Sequence, residues 1–426
     1  MSLLKPGTRI ALEGNSGSIQ IISKLGEGGQ GFVYLADYNG QKLALKWYKK
    51  GVLANPENFR QNLANNIKEK APTADFLWPL ALTEIQDGTF GYVMQVRPQN
   101  YYELSDFLTG KHEFVSVDVM LKAAIRIVDS FRILHNRGFS YQDLNDGNFF
   151  MNPQTGDIFI CDNDNVSQFG ANSGIAGKCR YMSPGVVVGR KVPDTRTDQF
   201  SLAVVLFLLL LRNHPLEGVM TQKSSIMTEQ HQKYYYGEHP VFIADPEDSS
   251  NRPVKGVHNN FIRRWPQMPS YIQEAFQKAF SKSVMYQDKI GVTEKEWLQH
   301  LLRFRAEVIQ CPYCGKETRY DTEGMPCICC HQSIRSYGWM QTKYYKIPVF
   351  ENQEIVEAYI TDCYDHNESS NLVAIVSLNK DKTKAALRNK EQVPWEIGNA
   401  QIPPEKLCAI PRGAKLILKN EQIEIV

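Results

Sequence analysis

Residues 141–148 read YQDLNDGN, a short polar run between apolar segments. Asp143 and Asn148 stand five positions apart. Asp162 follows in CDNDN, past a turn at 153–156 and the strand-like DIFI. Upstream, Lys46 sits between apolar neighbours in LALKWY. Together these groups could transfer a phosphoryl group. Asp143 would accept or orient the proton of an attacking hydroxyl. Asn148 and Asp162 would offer oxygen ligands to Mg²⁺ (or Mn²⁺) on the phosphates of ATP, with Asp164 as an auxiliary carboxylate. Lys46 would meet the phosphates as a compact cation. Singly, each feature has an ordinary explanation: DND makes an Asx-rich turn, and a strand Lys can snorkel to water. Their order along the chain carries the chemistry.

A second set lies near the C-terminus. Cys311 and Cys314, then Cys327 and Cys330, form two C-x₂-C pairs separated by twelve residues. That is tetrahedral Zn²⁺ spacing, and Gly315 suits the tight knuckle turn. Cys329 and His331 are substitutes available to the second pair. Four thiolates leave no open position, so the zinc would be structural.

Several elements must position the first set. Residues 19–48 alternate in polarity and read as three antiparallel strands, the last two joined by a DYNGQ turn. Between the first two lies LGEGGQGFV, where Gly26, Gly28 and Gly31 form G-x-G-x-x-G ahead of Val33. The segment after Gly31 is strand-like, so a hairpin over phosphates fits better than a dinucleotide fingerprint, which opens a helix. Phe59, Leu63 and Ile67 have helical spacing across 56–70, and Pro56 suits the first turn. Two more strands are expected at 80–86 and 90–96. Leu25, Val33, Ala44 and the run Met94-Gln95-Val96 would form an apolar slot with backbone hydrogen bonds for adenine. Beyond residue 96 the pattern turns helical, most clearly at 116–136 and 197–212, with two or three more helices in 258–304. The run LAVVLFLLLL at 202–211 is ten residues long. A membrane span needs about 20, so a buried core helix is expected and no membrane association.

The chain has 426 residues, enough for two or three domains, and a net charge of +2. Such a balance gives no argument for nucleic acid as a partner. Five of the nine cysteines fall within 311–330, and no signal peptide is visible in MSLLKPGTRI. A reducing, cytoplasmic setting is the expectation.

The first 300 residues resemble the eukaryotic-type protein kinase fold. LGEGGQGFV resembles its glycine-rich loop and LALK its V-A-I-K strand. LHNRGFSYQDLNDGN resembles the segment ending H-R-D-L-K-P-E-N, and CDND stands where D-F-G stands. GKCRYMSPG at 177–185 resembles G-T-x-x-Y-M-A-P-E, and DQFSLAVVLFLLL the buried helix that follows. The resemblance implies a bilobal α+β kinase, with an N-lobe over 1–96 and a C-lobe over 97–304. A zinc ribbon (305–340) and a small all-β domain (341–426) would follow. The β tail vaguely resembles forkhead-associated modules, without an evident phosphate-binding pattern. The domain order resembles bacterial kinases of stress-response and tellurite-resistance-like gene clusters. That implies a phosphatase and a von Willebrand A-type protein as partners.

There are departures. Tyr141 and Gln142 replace the His and Arg before Asp143, so switching by loop phosphorylation at Ser167, Ser173 or Ser183 is not expected, although Arg180 could act as a receiver. Asn145 replaces a Lys, and Asn163-Asp164 replace Phe-Gly. Gly185 replaces a Glu, which removes its ion pair. The helix partner of Lys46 is open between Glu57 and Glu69, with Asn65 nearer the expected spacing. The reading is an ATP- and Mg²⁺-dependent protein serine/threonine kinase. The alternatives are a nucleotide-binding pseudokinase scaffold and a small-molecule phosphotransferase.

Overall fold

The structure is a computed structural model that describes residues 3–14, 17–168, 177–224, 226–364, 366, 371–398 and 400–426. The chain divides into two compact units. One comprises Met1–Glu113, Ser130–Pro153 and Asp157–Thr293; the other comprises Phe114–Asp129, Gln154–Gly156 and Glu294–Val426.

The first unit opens with a six-stranded antiparallel sheet. Its order is Arg9–Ala11, Ser18–Glu27, Gly31–Tyr38, Gln41–Tyr48, Gly91–Gln95, Ala81–Leu82. Alternation in the strands feeds two cores. Ile19, Tyr34, Leu45 and Trp47 fill one face. Ala44, Tyr48, Tyr92 and Met94 fill the other, against Phe59 and Leu63 of the helix Pro56–Glu69. The strand Gln41–Tyr48 is therefore buried on both sides from Leu43 onward, and Lys46 goes in with it. The helix starts where expected: Pro56 occupies its first turn, and the Asn55 side chain accepts from the Asn58 N–H at 3.1 Å. The strand Arg9–Ala11 was not foreseen; three residues are too few to show a period of two.

The rest of this unit is mainly helical. Thr195–Leu211 is opened by a capping box between Asp194 and Thr197, and every residue from Phe200 to Leu211 is buried. The apolar run is thus a core helix. No helix among the described residues is long and apolar enough to cross a membrane. Four α-helices occupy the region where two or three were expected: Asn259–Arg264, Ser270–Ala279, Lys282–Gln287 and Glu294–Glu307.

The last of these belongs to the second unit, whose remainder is β-rich. A hairpin pairs Val308–Gln310 with Glu317–Arg319. One antiparallel sheet orders Lys346–Pro348, Trp339–Gln341, Glu421–Ile425 and Lys415–Leu418. Another orders Glu354–Val356, Leu372–Leu378, Ala385–Asn389 and Leu407–Ala409. The region is not all-β, because a short helix, Glu357–Thr361, interrupts it.

Candidate active site

The sheet register sets the expected nucleotide slot. Val33 pairs with Lys46, and Ala44 pairs with Met94. Ala44 and Met94 are buried, and Val33 and Val96 pack half-buried against the same cluster. Leu25 and Gln95 are exposed. The Gly28 N–H donates to the Gly31 carbonyl at 2.9 Å and closes the glycine hairpin. The three glycines differ in what they must avoid. At Gly26 and Gly28 a Cβ would meet open space, whereas at Gly31 it would lie 2.4 Å from the Trp47 carbonyl oxygen. Gly31 is therefore required by the neighbouring strand.

Lys46 is only 6% exposed. Its ammonium lies 3.2 Å from Asp162 Oδ1 and 2.7 Å from Asp164 Oδ2. Burial alone would lower its pKa; the charges of Asp164 and Asp162 outweigh that and hold it above its ordinary value. The Tyr48 hydroxyl donates to the same Asp164 oxygen. No helix carboxylate joins this group among the described contacts. The helix instead reaches the loop through amides: Asn62 and Asn66 each donate to the Val166 carbonyl at 2.8 Å. Asn65 accepts from Gln61 on its own helix. The partner sought on the helix thus stands two residues after Asp162.

Asp162 itself has φ +53° and a half-exposed carboxylate. Buried Asn163 fixes the turn by donating to the carbonyls of Leu77 and Ile160, both at 2.9 Å. The Phe of the resembling motif packs; this Asn bonds instead.

The loop carrying Asp143 is anchored from below. Asp198, in the first turn of the buried helix, accepts from the Tyr141 N–H at 2.6 Å and the Gln142 N–H at 3.0 Å. His135 Nε2 lies 3.1 Å from the same carboxylate. The Tyr141 hydroxyl donates to the Cys161 carbonyl, joining this loop to the strand end before Asp162. Gln142 adopts φ +69° and donates to the Ser140 hydroxyl at 3.0 Å and to that of Ser167. Asn148 Nδ2 donates to the Asp143 carbonyl at 2.8 Å, and Asn165 Nδ2 reaches Asp143 Oδ2 at 3.4 Å. Burial pushes the Asp143 carboxyl up to about 6; the Asn145 hydrogen bond opposes this, and Asp162 adds to it.

The segment 177–185 brings two further results. Arg180 is committed to Glu217 through two bonds of 2.6 and 3.0 Å, so it is not held ready for a loop phosphate. Ser167 and Ser183 are buried, and Ser173 lies outside the described residues. Gly185 has not simply lost an ion pair. Arg190 bonds Asp288 at 2.7 and 3.1 Å, and a Cβ at Gly185 would lie 2.3 Å from Asp288 Oδ1. Missing the Glu side chain makes room for a pair built from other residues.

In the second unit, Cys311, Cys314, Cys327 and Cys330 bring their Sγ atoms within 4.8 Å of one another. The Cys311–Cys330 and Cys314–Cys327 separations are both 3.7 Å. A tetrahedron of Zn–S bonds of about 2.3 Å has edges of about 3.8 Å, so the cluster is consistent with a zinc site. Gly315 (φ +67°) and His331 (φ +59°) turn the two knuckles, and their N–H groups donate to the Cys311 and Cys327 carbonyls at 2.9 Å. Cys329 and His331 are exposed and outside the cluster.

The sequence order singled out Lys46, Asp143, Asn148 and Asp162, and the structure brings Lys46 to Asp162 and Asn148 to Asp143. That order missed Asn165, and it gave no signal for Lys178, whose ammonium lies 2.9 Å from Asn145 Oδ1.

The chain is similar to known protein kinases. The chain is 27% identical over 229 residues to serine/threonine-protein kinase Pkn1 of Myxococcus xanthus, covering 48% of this chain and 31% of that protein. It is 23% identical over 206 residues to serine/threonine-protein kinase mos of Patiria pectinifera, covering 46% and 57%. It therefore spans less than two thirds of the curated relatives it matches. Among solved structures, the mutant kinase domain of Mycobacterium tuberculosis PknI aligns with TM-score 0.46 and 17% identity, over 71% of this chain and 98% of that one. The family model for the protein kinase domain matches residues 19–280. By that match over more than half its length, the chain belongs to the protein kinase domain family.

Proposed function

We propose that this chain is a protein serine/threonine kinase that moves the γ-phosphate of ATP to a hydroxyl of a partner protein. The observation that supports this most is the convergence of four groups. Lys46 bonds Asp162 at 3.2 Å, Asn148 bonds Asp143 at 2.8 Å, and Asn165, from the turn after Asp162, reaches Asp143. Asp143 would take the hydroxyl proton, and Lys46 would bind phosphate. Adenine would lie against Leu25, Val33, Ala44, Met94, Gln95 and Val96, with the hairpin of Gly26, Gly28 and Gly31 over the phosphates. Positioning and charge stabilisation supply most of the rate in such transfers, so the losses at Tyr141 and Gln142 are compatible with turnover.

Mg²⁺ or Mn²⁺ fits the donors present. Asn148 spends its Nδ2 on the Asp143 carbonyl, which leaves Oδ1 for a cation, and the Asp162 carboxylate is half exposed. Hard oxygen donors suit either ion, which when bound neutralises phosphate charge. The four cysteines would hold structural Zn²⁺ with no open position. We read 1–96 and 97–304 as the kinase lobes, 305–340 as the ribbon and 341–426 as a separate β-rich module. That order supports testing a phosphatase and a von Willebrand A-type protein as partners, in a bacterial stress-response setting.

The test is transfer from labelled ATP to a protein panel, with Asp143→Asn as control. Active protein should lose about 100-fold or more in that variant. Labelling no greater than the control would sink the kinase reading. If ATP then still raised the melting temperature, a nucleotide-binding scaffold would be left; transfer to small alcohols alone would leave a small-molecule phosphotransferase.

A further inference from the structure

Asn145 stands two positions after Asp143, where the resembling pattern has a lysine. Its amide bridges two groups. Nδ2 donates to Asp143 Oδ1 at 3.2 Å, and Oδ1 accepts from Lys178 Nζ at 2.9 Å. Lys178 follows Gly177, and Gly177 lies against the catalytic loop: a Cβ there would be 3.1 Å from Asp143 Oδ1 and 3.2 Å from the Gln142 carbonyl oxygen. The backbone contact places the root of Lys178 beside Asp143, and the ammonium then reaches along the loop, with Asp146 at 3.4 Å. The pattern G-T-x-x-Y-M-A-P-E has a threonine at this place, so the cation stands on the other side of the contact from where the pattern has it.

The Lys178 side chain remains 59% exposed. It lines a cleft of about 870 Å³ together with Asp146, Arg180, Glu217 and Tyr236. Arg180, the neighbouring cation, is locked on Glu217 by two bonds. Lys46 is held between two aspartates. Lys178 instead combines exposure, a cleft and a one-amide separation from Asp143.

We propose that Lys178 is a catalytic residue that binds the transferring phosphoryl group, supplying from the segment after Gly177 the charge that Asn145 lacks. This rests on the kinase reading above. In the step, the acceptor oxygen bonds the γ-phosphorus while the bond from that phosphorus to the β–γ bridging oxygen breaks. ADP leaves with that electron pair, and the hydroxyl proton passes to the Asp143 carboxylate. Lys178 keeps its protons throughout. Charge spreads over the equatorial phosphoryl oxygens, where an ammonium stabilises the transition state more than the ground state.

The experiment uses the full chain and three proteins: wild type, Lys178→Met, and the Asn145→Lys/Lys178→Met double variant. Lys178→Met should lower kcat on the order of 10–100-fold, with the KM for ATP within about twofold and the melting temperature unchanged. The double variant, with a cation returned beside Asp143, should recover about tenfold or more of that loss. A kcat for Lys178→Met within about threefold of wild type would overturn the inference while leaving the kinase reading standing. A loss that the double variant fails to recover would also overturn it, leaving Lys178 a brace for its segment. A wild type no more active than Asp143→Asn would overturn both.

Discussion

Asp164 holds the Lys46 ammonium at 2.7 Å with a carboxylate that is itself fully buried. A charge pair in that position costs desolvation to form and more to break, because the survivor is left unpaired. Asp164→Asn should therefore destabilise the kinase unit by about 3 kcal/mol, measured by urea unfolding. The half-exposed Asp162 should leave a far smaller cost when changed to Asn, since water already screens it. Equal costs for the two variants would refute the asymmetry.

Gly185 and Asp288 give a test of close approach. Gly185→Ala forces a methyl against Asp288 Oδ1, and overpacking of this kind costs about 1–3 kcal/mol. Asp288→Ala loses only a pair whose Arg190 is 42% exposed, worth about 1 kcal/mol or less. The double variant should cost less than the sum of the two, because the clash disappears with the carboxylate. Simple additivity would show that Gly185 tolerates a side chain.

The cysteine cluster should carry about one zinc per chain by elemental analysis. Cys314→Ser or Cys330→Ser should lose the metal and open the hairpin Val308–Arg319 to proteolysis. Cys329→Ser, outside the cluster, should keep full metal content. Zinc loss from the Cys329 variant would mean that the ligand set is wrong.

The Asp143 carboxyl, held up to about 6, should add stability as the pH falls from 6 toward 3.8, and His214 should subtract it as the pH drops from 6.5 toward 4. His214 is buried in its neutral form: Nε2 donates to the Arg180 carbonyl at 2.7 Å, and Nδ1 accepts from the Leu216 N–H at 3.2 Å. Burial lowers its pKa to about 4, so below 6.5 the unfolded chain binds a proton that the folded one refuses. Glu217 acts lower. Burial would raise its carboxyl, but His214, Arg180 and Tyr236 hold it at about 2, so its contribution is complete above 4.5. Between pH 6.5 and 4.5 the melting temperature of His214→Gln should gain steadily on that of wild type, because the His214 loss is removed while the Asp143 contribution stays. A difference between the two proteins that does not change with pH would assign the effect to another group.

How much of this was legible in the chain divides along a physical line. Local pattern located the glycine hairpin, the strand of Lys46, the helix Pro56–Glu69 and the buried helix Thr195–Leu211, because periodicity and caps record what each segment buries. The C-x₂-C spacing located the four cysteines by the same kind of short-range geometry. Partners were another matter. Lys46 and Asp164 are 118 residues apart, and Arg190 and Asp288 are 98 apart. Spacing along one helix pointed to Glu57 or Glu69, since it records nothing about a loop arriving from elsewhere. Lys178 was invisible for the same reason: its significance comes from Gly177 pressing its backbone on a different loop.

The grip of Asp198 on the amides of Tyr141 and Gln142 has a consequence for dynamics. Those amides lie in an irregular loop, where fast exchange with solvent is the ordinary expectation. Yet their acceptor is 1% exposed and belongs to a helix whose next turns are wholly buried. The bonds can open only when the first turn of that helix comes away from its surroundings. In deuterated water, both amides should therefore stay protected as long as the core helix does, with the slowest-exchanging class in the unit. A loop so anchored should melt with the buried helix, and the backbone leading into Asp143 is tied to it.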